Sequence, residues 1–139
     1  MYDTILVPID GSDGANRAIQ HALDQADQFD ATLHSIFVVD TRLHGEPALS
    51  SAELVLDDIE DRGQELLHQL SNEAADRGVE AVTRCCHGTP HAEIIDYGDD
   101  IDADVIILGY RGQTHTRSDN IGSVAERVVR HAGRPVLVV

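Results

Sequence analysis

The stretch from Gly109 to Ser123 carries the arrangement with the clearest chemical meaning: Gly109-Tyr110-Arg111-Gly112, nine further residues, then Gly122-Ser123. Gly109 and Gly112 carry no Cβ, so main-chain amides there could approach a ligand closely. Gly122-Ser123 opens a helical pattern. Free N–H groups at a helix N-terminus point outward and bind phosphate. Ser123-Val124-Ala125-Glu126 also fits a capping box, Ser at the cap and Glu three residues on. The Ser123 hydroxyl therefore has two uses open to it, capping the helix or donating to a phosphate.

Charge points the same way. The chain of 139 residues holds 25 acids and 10 bases, a formal net charge of −15, and every base is Arg. From Gly109 onward there are five Arg (Arg111, Arg117, Arg127, Arg130, Arg134) against Asp119 and Glu126, a net of +3, which leaves −18 on the preceding residues. A cationic last quarter on so acidic a chain suits a polyphosphate. The alternative for Arg127, Arg130 and Arg134 is pairing with surface acids. Asp10, which ends the first apolar run, is the other group of interest. It could shape the turn that follows, accept a hydrogen bond from an adenine amino group or a ribose, or help to hold Mg²⁺.

The same composition removes several classes of function. A surface this acidic repels nucleic acid and anionic lipid. The absence of Lys excludes a Walker A loop and Schiff-base chemistry. No Gly-x-Ser-x-Gly elbow is present for a hydrolase triad. His87 and His91 are separated by a loop and a proline with no third ligand evident, so they do not read as a metal site. Cys85 and Cys86 are the only cysteines; they read as small apolar residues of a buried strand. Two cysteines make no disulfide framework, which points to a reducing cytoplasm. Met1-Tyr2-Asp3-Thr4 lacks a basic leader, and no stretch approaches the roughly 20 apolar residues of a membrane span. Asp-richness without Lys suggests adaptation to molar salt, where the screening length falls to about 3 Å and self-repulsion fades.

The elements that must position these groups follow from periodicity. Short apolar, β-branched runs predict strands over residues 4–9, 32–39, 79–86, 104–109 and 135–139. Helical spacing predicts helices over 15–29, 51–77, 90–99 and 124–131. Ser12 or Asp13 is placed to cap the first helix, Gly78 to stop the second, and Thr89 with Pro90 to open the third. The second helix would face inward through Val55, Ile59, Leu66, Leu70 and Ala74, with Gly63 weakening it locally. No linker, internal repeat or low-complexity tract divides the chain, so residues 1–139 form one domain. The apolar runs are nearly continuous, as in strands buried on both faces. This predicts an α/β three-layer sandwich, a five-stranded parallel sheet with helices on both faces, flavodoxin- or Rossmann-like. Ligands would bind at the carboxyl ends of its strands near the topological switch point.

The spacing Gly-x2-Gly-x9-Gly-Ser, preceded by Val-Ile-Ile-Leu-Gly and followed by Val-Ala-Glu-Arg-Val-Val-Arg-His-Ala and Pro-Val-Leu-Val-Val, resembles the universal stress protein family. The opening Ile-Leu-Val-Pro-Ile-Asp-Gly-Ser matches that family's first strand and turn. The resemblance spans the chain and points to the ATP-binding branch, with an adenine nucleotide alpha hydrolase-like fold. It implies that Pro8, Ile9 and Asp10 line the adenine end, with Val39 beside the base. Leu108, Gly109, Arg111 and Gly112 would contact ribose and phosphates, and Gly122, Ser123, Val124 and Ala125 the phosphate tail. Many relatives carry Ser or Thr where this chain has Ala125, so one phosphate hydroxyl is missing. The family's habit implies a homodimer through the last strand, residues 136–139, an uncharged edge open to pairing. The implied function is a nucleotide-dependent stress-response module binding ATP or another adenine nucleotide, with Mg²⁺ as its candidate metal. The alternative is a slow nucleotide hydrolase or phosphotransferase acting through Asp10. A response-regulator receiver is set aside, because receivers as a family carry a Lys at the end of the fifth strand.

Overall fold

The alternating apolar runs and amphipathic stretches become a parallel sheet wrapped by helices in the computed structural model, which describes residues 1–42, 49–110 and 121–139. The elements run β1 (Thr4–Pro8), α1 (Asp13–Phe29), β2 (Thr32–Asp40), α2 (Leu49–Asp76), β3 (Ala81–Gly88), α3 (Pro90–Asp100), β4 (Val105–Leu108), α4 (Ser123–His131) and β5 (Val136–Val138). The strand order is β3-β2-β1-β4-β5, and every pairing is parallel. That is the doubly wound Rossmann order without its sixth strand, with its switch point between β1 and β4.

Right-handed crossovers place α1 and α2 on one face and α3 and α4 on the other. Two separate cores result. On one side Ile5, Val7, Leu33 and Val39 of the sheet meet Ala18, Leu23, Leu67 and Leu70. On the other, Leu6, Ile36, Ile106 and Leu108 meet Ile94, Tyr97, Ala125 and Val128. Successive residues of each strand serve opposite faces, so β1 and β4 must be apolar throughout to fill both cores. At the amino ends of the strands Asp104 ties β4 to β1, its carboxylate accepting from the Asp3 and Thr4 N–H groups at 2.8 and 2.9 Å. Those two donors hold its pKa below the ordinary value.

Local chemistry sets the helix limits. The Ser12 hydroxyl caps α1 by accepting from the Ala15 N–H at 3.1 Å, which starts the helix two residues before the predicted position. Gly78, at φ +70°, ends α2 as expected. The Val79 N–H turns back to the Ala74 carbonyl at 2.8 Å, so Val79 belongs to the helix stop and β3 begins at Ala81. Thr89 and Pro90 open α3, though the Thr89 hydroxyl makes no capping bond.

Gly63 is a packing device. A Cβ there would stand 2.7 Å from Phe37 Cγ, so the bare backbone is what brings α2 down onto β2. Val55, predicted to face inward, is exposed instead, and the buried stripe passes through Gly63, Leu67, Leu70 and Ala74. A Gly-to-Ala change inside a helix gains about 1 kcal/mol in propensity, whereas overpacking costs about 1–3 kcal/mol. Gly63→Ala should therefore give a net loss of stability in thermal melts, and adding Phe37→Leu should recover part of it. A Gly63→Ala protein as stable as the parent would contradict this packing.

Candidate functional site

Three chain segments converge at the carboxyl ends of β1 and β4. The first leaves β1 through Ile9, whose N–H still bonds to the Ile36 carbonyl at 2.9 Å. Asp10 is half-buried, and its Oδ1 accepts from the Ser12 N–H at 2.9 Å. Gly11 takes φ +81°, a conformation that favours glycine. Together these bonds hold the turn firmly against the start of α1.

The second segment leaves β4. Gly109 lies directly on the first turn of α1: a Cβ there would sit 2.7 Å from the Ala15 nitrogen and press on the Gly14 backbone. Its missing side chain serves chain-to-chain contact. Ligand approach was the use read from the sequence, and this geometry supplies a second reason for the glycine. Tyr110 extends the β4–β5 ladder by donating its N–H to the Val139 carbonyl at 2.6 Å, while the Val139 N–H donates to Leu108 at 2.9 Å.

The third segment is the start of α4. The Gly122 N–H donates to the Tyr110 carbonyl at 2.8 Å, which clasps the two ends of the glycine loop together. Gly122, and not Ser123, is the N-cap of α4. The capping-box option for Ser123 is corrected accordingly: Ser123 is the first helical residue, exposed, and its hydroxyl makes no cap. The helical ladder opens with the Glu126 N–H donating to the Gly122 carbonyl at 2.9 Å. The amides of Ser123, Val124 and Ala125 therefore have no intrahelical acceptor, and no capping side chain covers them among the described residues. Three N–H groups at the positive end of a helix form a seat for an anion.

The other sequence-derived site residues fall into distinct places. Pro8, Ile9, Val39 and Leu108 are buried, with Ile9, Val39 and Leu108 inside the two cores. Ala125 also faces the core between sheet, α3 and α4, which leaves only its amide for the site. Val124 is half-buried and packs beside the same core. Arg111, Gly112 and Arg117 lie outside the described residues. Arg130 pairs with Glu126 at 2.9 Å and Arg134 with Asp99 at 2.8 Å, so these two cations serve acids. Arg127 has no ion-pair partner among the described residues; it acts with burial to lower the pKa of His91, burial being the larger cause. His87 bonds to Glu60 of α2, whereas His91 sits on α3 across the sheet, so the two imidazoles do not meet. Among the described residues no three His, Cys, Asp or Glu side chains gather to hold a metal ion.

Tyr110 and Gly14 are the contributors that sequence reasoning missed. Tyr110 acts through its backbone and carries no side-chain signal. Gly14, a buried glycine in the first turn of a helix, was legible as a place of close approach.

Comparison with known proteins follows this geometry. The universal stress protein family matches residues 1–139. A universal stress protein of Methanocaldococcus jannaschii is 39% identical over 140 residues, covering 100% of this chain and 82% of its own length. Among solved structures, the universal stress protein UspA of Lactobacillus plantarum superposes with a TM-score of 0.91 at 30% identity, over 99% of this chain and 97% of that one. An Arabidopsis thaliana protein of the family, solved with AMP bound, shares the fold with a TM-score of 0.72 at 17% identity, over 99% of this chain and 90% of its own.

Proposed function

This chain belongs to the universal stress protein family, and from that premise we propose that it is a regulatory module that binds ATP at the switch point between β1 and β4. The observation that carries the reading is the trio of amides at the head of α4, which find no acceptor among the described residues and are clasped in place by the Gly122–Tyr110 hydrogen bond. They suit the phosphate tail. The rigid turn at Asp10 and the backbone of Val39 suit the nucleoside end. That the Arabidopsis relative holds AMP supports an adenine nucleotide here; three amides at one helix start suit a longer phosphate tail. Mg²⁺ would be held mainly through the phosphate oxygens, as is usual for this cation, with Asp10 as a candidate carboxylate.

Calorimetric titration in high KCl tests the proposal. ATP should bind with one site per chain and more tightly than AMP. Mass spectrometry of ligand released from freshly purified protein should find an adenine nucleotide. Binding of neither nucleotide, by a folded protein, would refute the assignment.

The setting of the module belongs to the same proposal. Strand β5 ends the sheet, with Leu137 41% exposed, and would pair with a second copy to form a homodimer. No helix among the described residues is long and apolar enough to cross a membrane; the free Cys85 and Cys86 suit a reducing cytoplasm. The excess of acids over Arg suits a high-salt interior. Stability should accordingly rise with salt, the melting temperature gaining about 10 °C or more between ~0.1 M and ~2 M KCl. A melting temperature insensitive to KCl would remove the high-salt adaptation from this reading.

A further inference from the structure

Strand β3 ends the sheet on the side away from β5 and is its longest open edge, eight residues against three. The register pairs Leu33 with Ala81 through to Asp40 with Gly88. The bonds at its two ends, from the Leu33 N–H to the Glu80 carbonyl at 2.9 Å and from the Thr41 N–H to the Gly88 carbonyl at 3.3 Å, both use even-numbered residues of this strand. A parallel ladder bonds through alternate residues. The amides and carbonyls of Ala81, Thr83, Cys85 and His87 therefore point away from the sheet, over a length of about 20 Å. No other described segment pairs with them.

The surroundings of this edge are acidic on both faces. From α2, the Glu60 Oε1 reaches His87 Nε2 at 3.0 Å. From α3, the Glu93 Oε1 stands 2.6 Å from where a Cβ on Gly88 would be. Glu80 leads into the strand. Among the described residues the groups beside these acids are already engaged: the Arg84 guanidinium lies 5.3 Å from the centroid of the Tyr97 ring, and the His87 imidazole bonds to Glu60. A second copy of the chain brought to this edge would set like carboxylates against each other, which disfavours self-pairing.

We propose that the β3 edge is a docking surface for an extended, basic peptide segment of a partner protein, which adds as a sixth strand. Main-chain bonds to Thr83, Cys85 and His87 would supply most of the affinity. Adjacent basic side chains, which fall on opposite faces of a strand, would meet Glu60 on one side and Glu93 on the other and supply the selection. The surface lies at the opposite edge of the sheet from β5 and stays open when β5 pairs.

The test uses the acetylated, amidated octapeptide Val-Arg-Lys-Val-Arg-Lys-Thr-Val, titrated in the lowest KCl that keeps the protein folded and followed by amide hydrogen exchange. Exchange should slow at residues 83, 85 and 87. An analogue N-methylated at alternate residues keeps the charge but cannot form the ladder, and it should not bind. Glu60→Gln combined with Glu93→Gln should weaken binding by about five- to tenfold. Thr83→Pro should abolish it with little loss of stability, since the Thr83 N–H faces outward and proline is tolerated on such an edge. The proposal is overturned if the N-methylated analogue binds equally well, if the protected amides lie elsewhere, or if millimolar peptide leaves β3 unchanged. The peptide analogue decides the matter even if the proline variant does not fold.

Discussion

Replacing Ser123 with proline should weaken ATP binding by about 100-fold or more and leave the fold intact. Ser123 is the first residue of α4, and its amide has no acceptor within the helix. Proline is favoured at that position because the N–H it lacks is unpaired there in any case. The preceding Gly122 sits at φ −64° and ψ 152°, which a following proline accepts. The substitution therefore removes one of three proposed phosphate donors, together with the hydroxyl, at little cost to the helix. Hydrogen bonds to a charged group contribute about 1.5–3 kcal/mol each, so losing two gives the stated factor. Ser123→Ala removes the hydroxyl alone and should cost about tenfold. Isothermal titration of both variants, with far-ultraviolet circular dichroism to confirm the helix, separates amide from hydroxyl. Parent-like affinity in the proline variant would mean that the phosphates are held elsewhere.

A second substitution with a large expected effect is Gly109→Ala, which should destabilise the protein before any ligand is added. The new Cβ would be driven into the backbone of Gly14 and Ala15. Backbone at the start of a capped helix cannot swing aside as a side chain can. Overpacking costs typically about 1–3 kcal/mol, and a contact against main chain belongs at or above the top of that range. The expected loss is about 3 kcal/mol, or roughly 10 °C in melting temperature for a domain of this size. Chemical denaturation of the ligand-free protein measures it. A variant of unchanged stability that merely lost nucleotide would show that Gly109 serves the ligand and not the packing. The two substitutions thus probe different halves of one structure: Gly109 seats the loop on α1, and Ser123 presents the donors.

The alternation of strand and helix was legible because β1 and β4 are buried on both faces and must be apolar along their whole length. Gly78 announced its helix stop for a similar reason, since few other residues adopt its φ. The strand order was not legible beyond its class. Cys85 and Cys86 read as buried from composition, but they are half-buried because β3 is an edge, a position that the polar Thr83, Arg84 and His87 of the same strand fit. The site shows the same division. Its glycines and Ser123 were visible as types and spacing. What Gly109 touches depends on α1, far away in sequence, and the cap of α4 fell to Gly122 although serine is the better capping residue in isolation. Tyr110 was invisible because it binds through atoms that every residue carries.

These features combine into one physical picture. The Tyr110 backbone joins the last ladder bonds of β4 and β5 to the start of α4, so the proposed phosphate seat is anchored to the sheet. Such a seat is preorganised, and little reordering opposes binding. A crystal structure determined with ATP is the decisive measurement. The picture requires phosphate oxygens within hydrogen-bonding distance of the Ser123, Val124 and Ala125 amides, with the nucleoside lying toward Asp10. A triphosphate bound at any other place, with those three amides left to solvent, would contradict it.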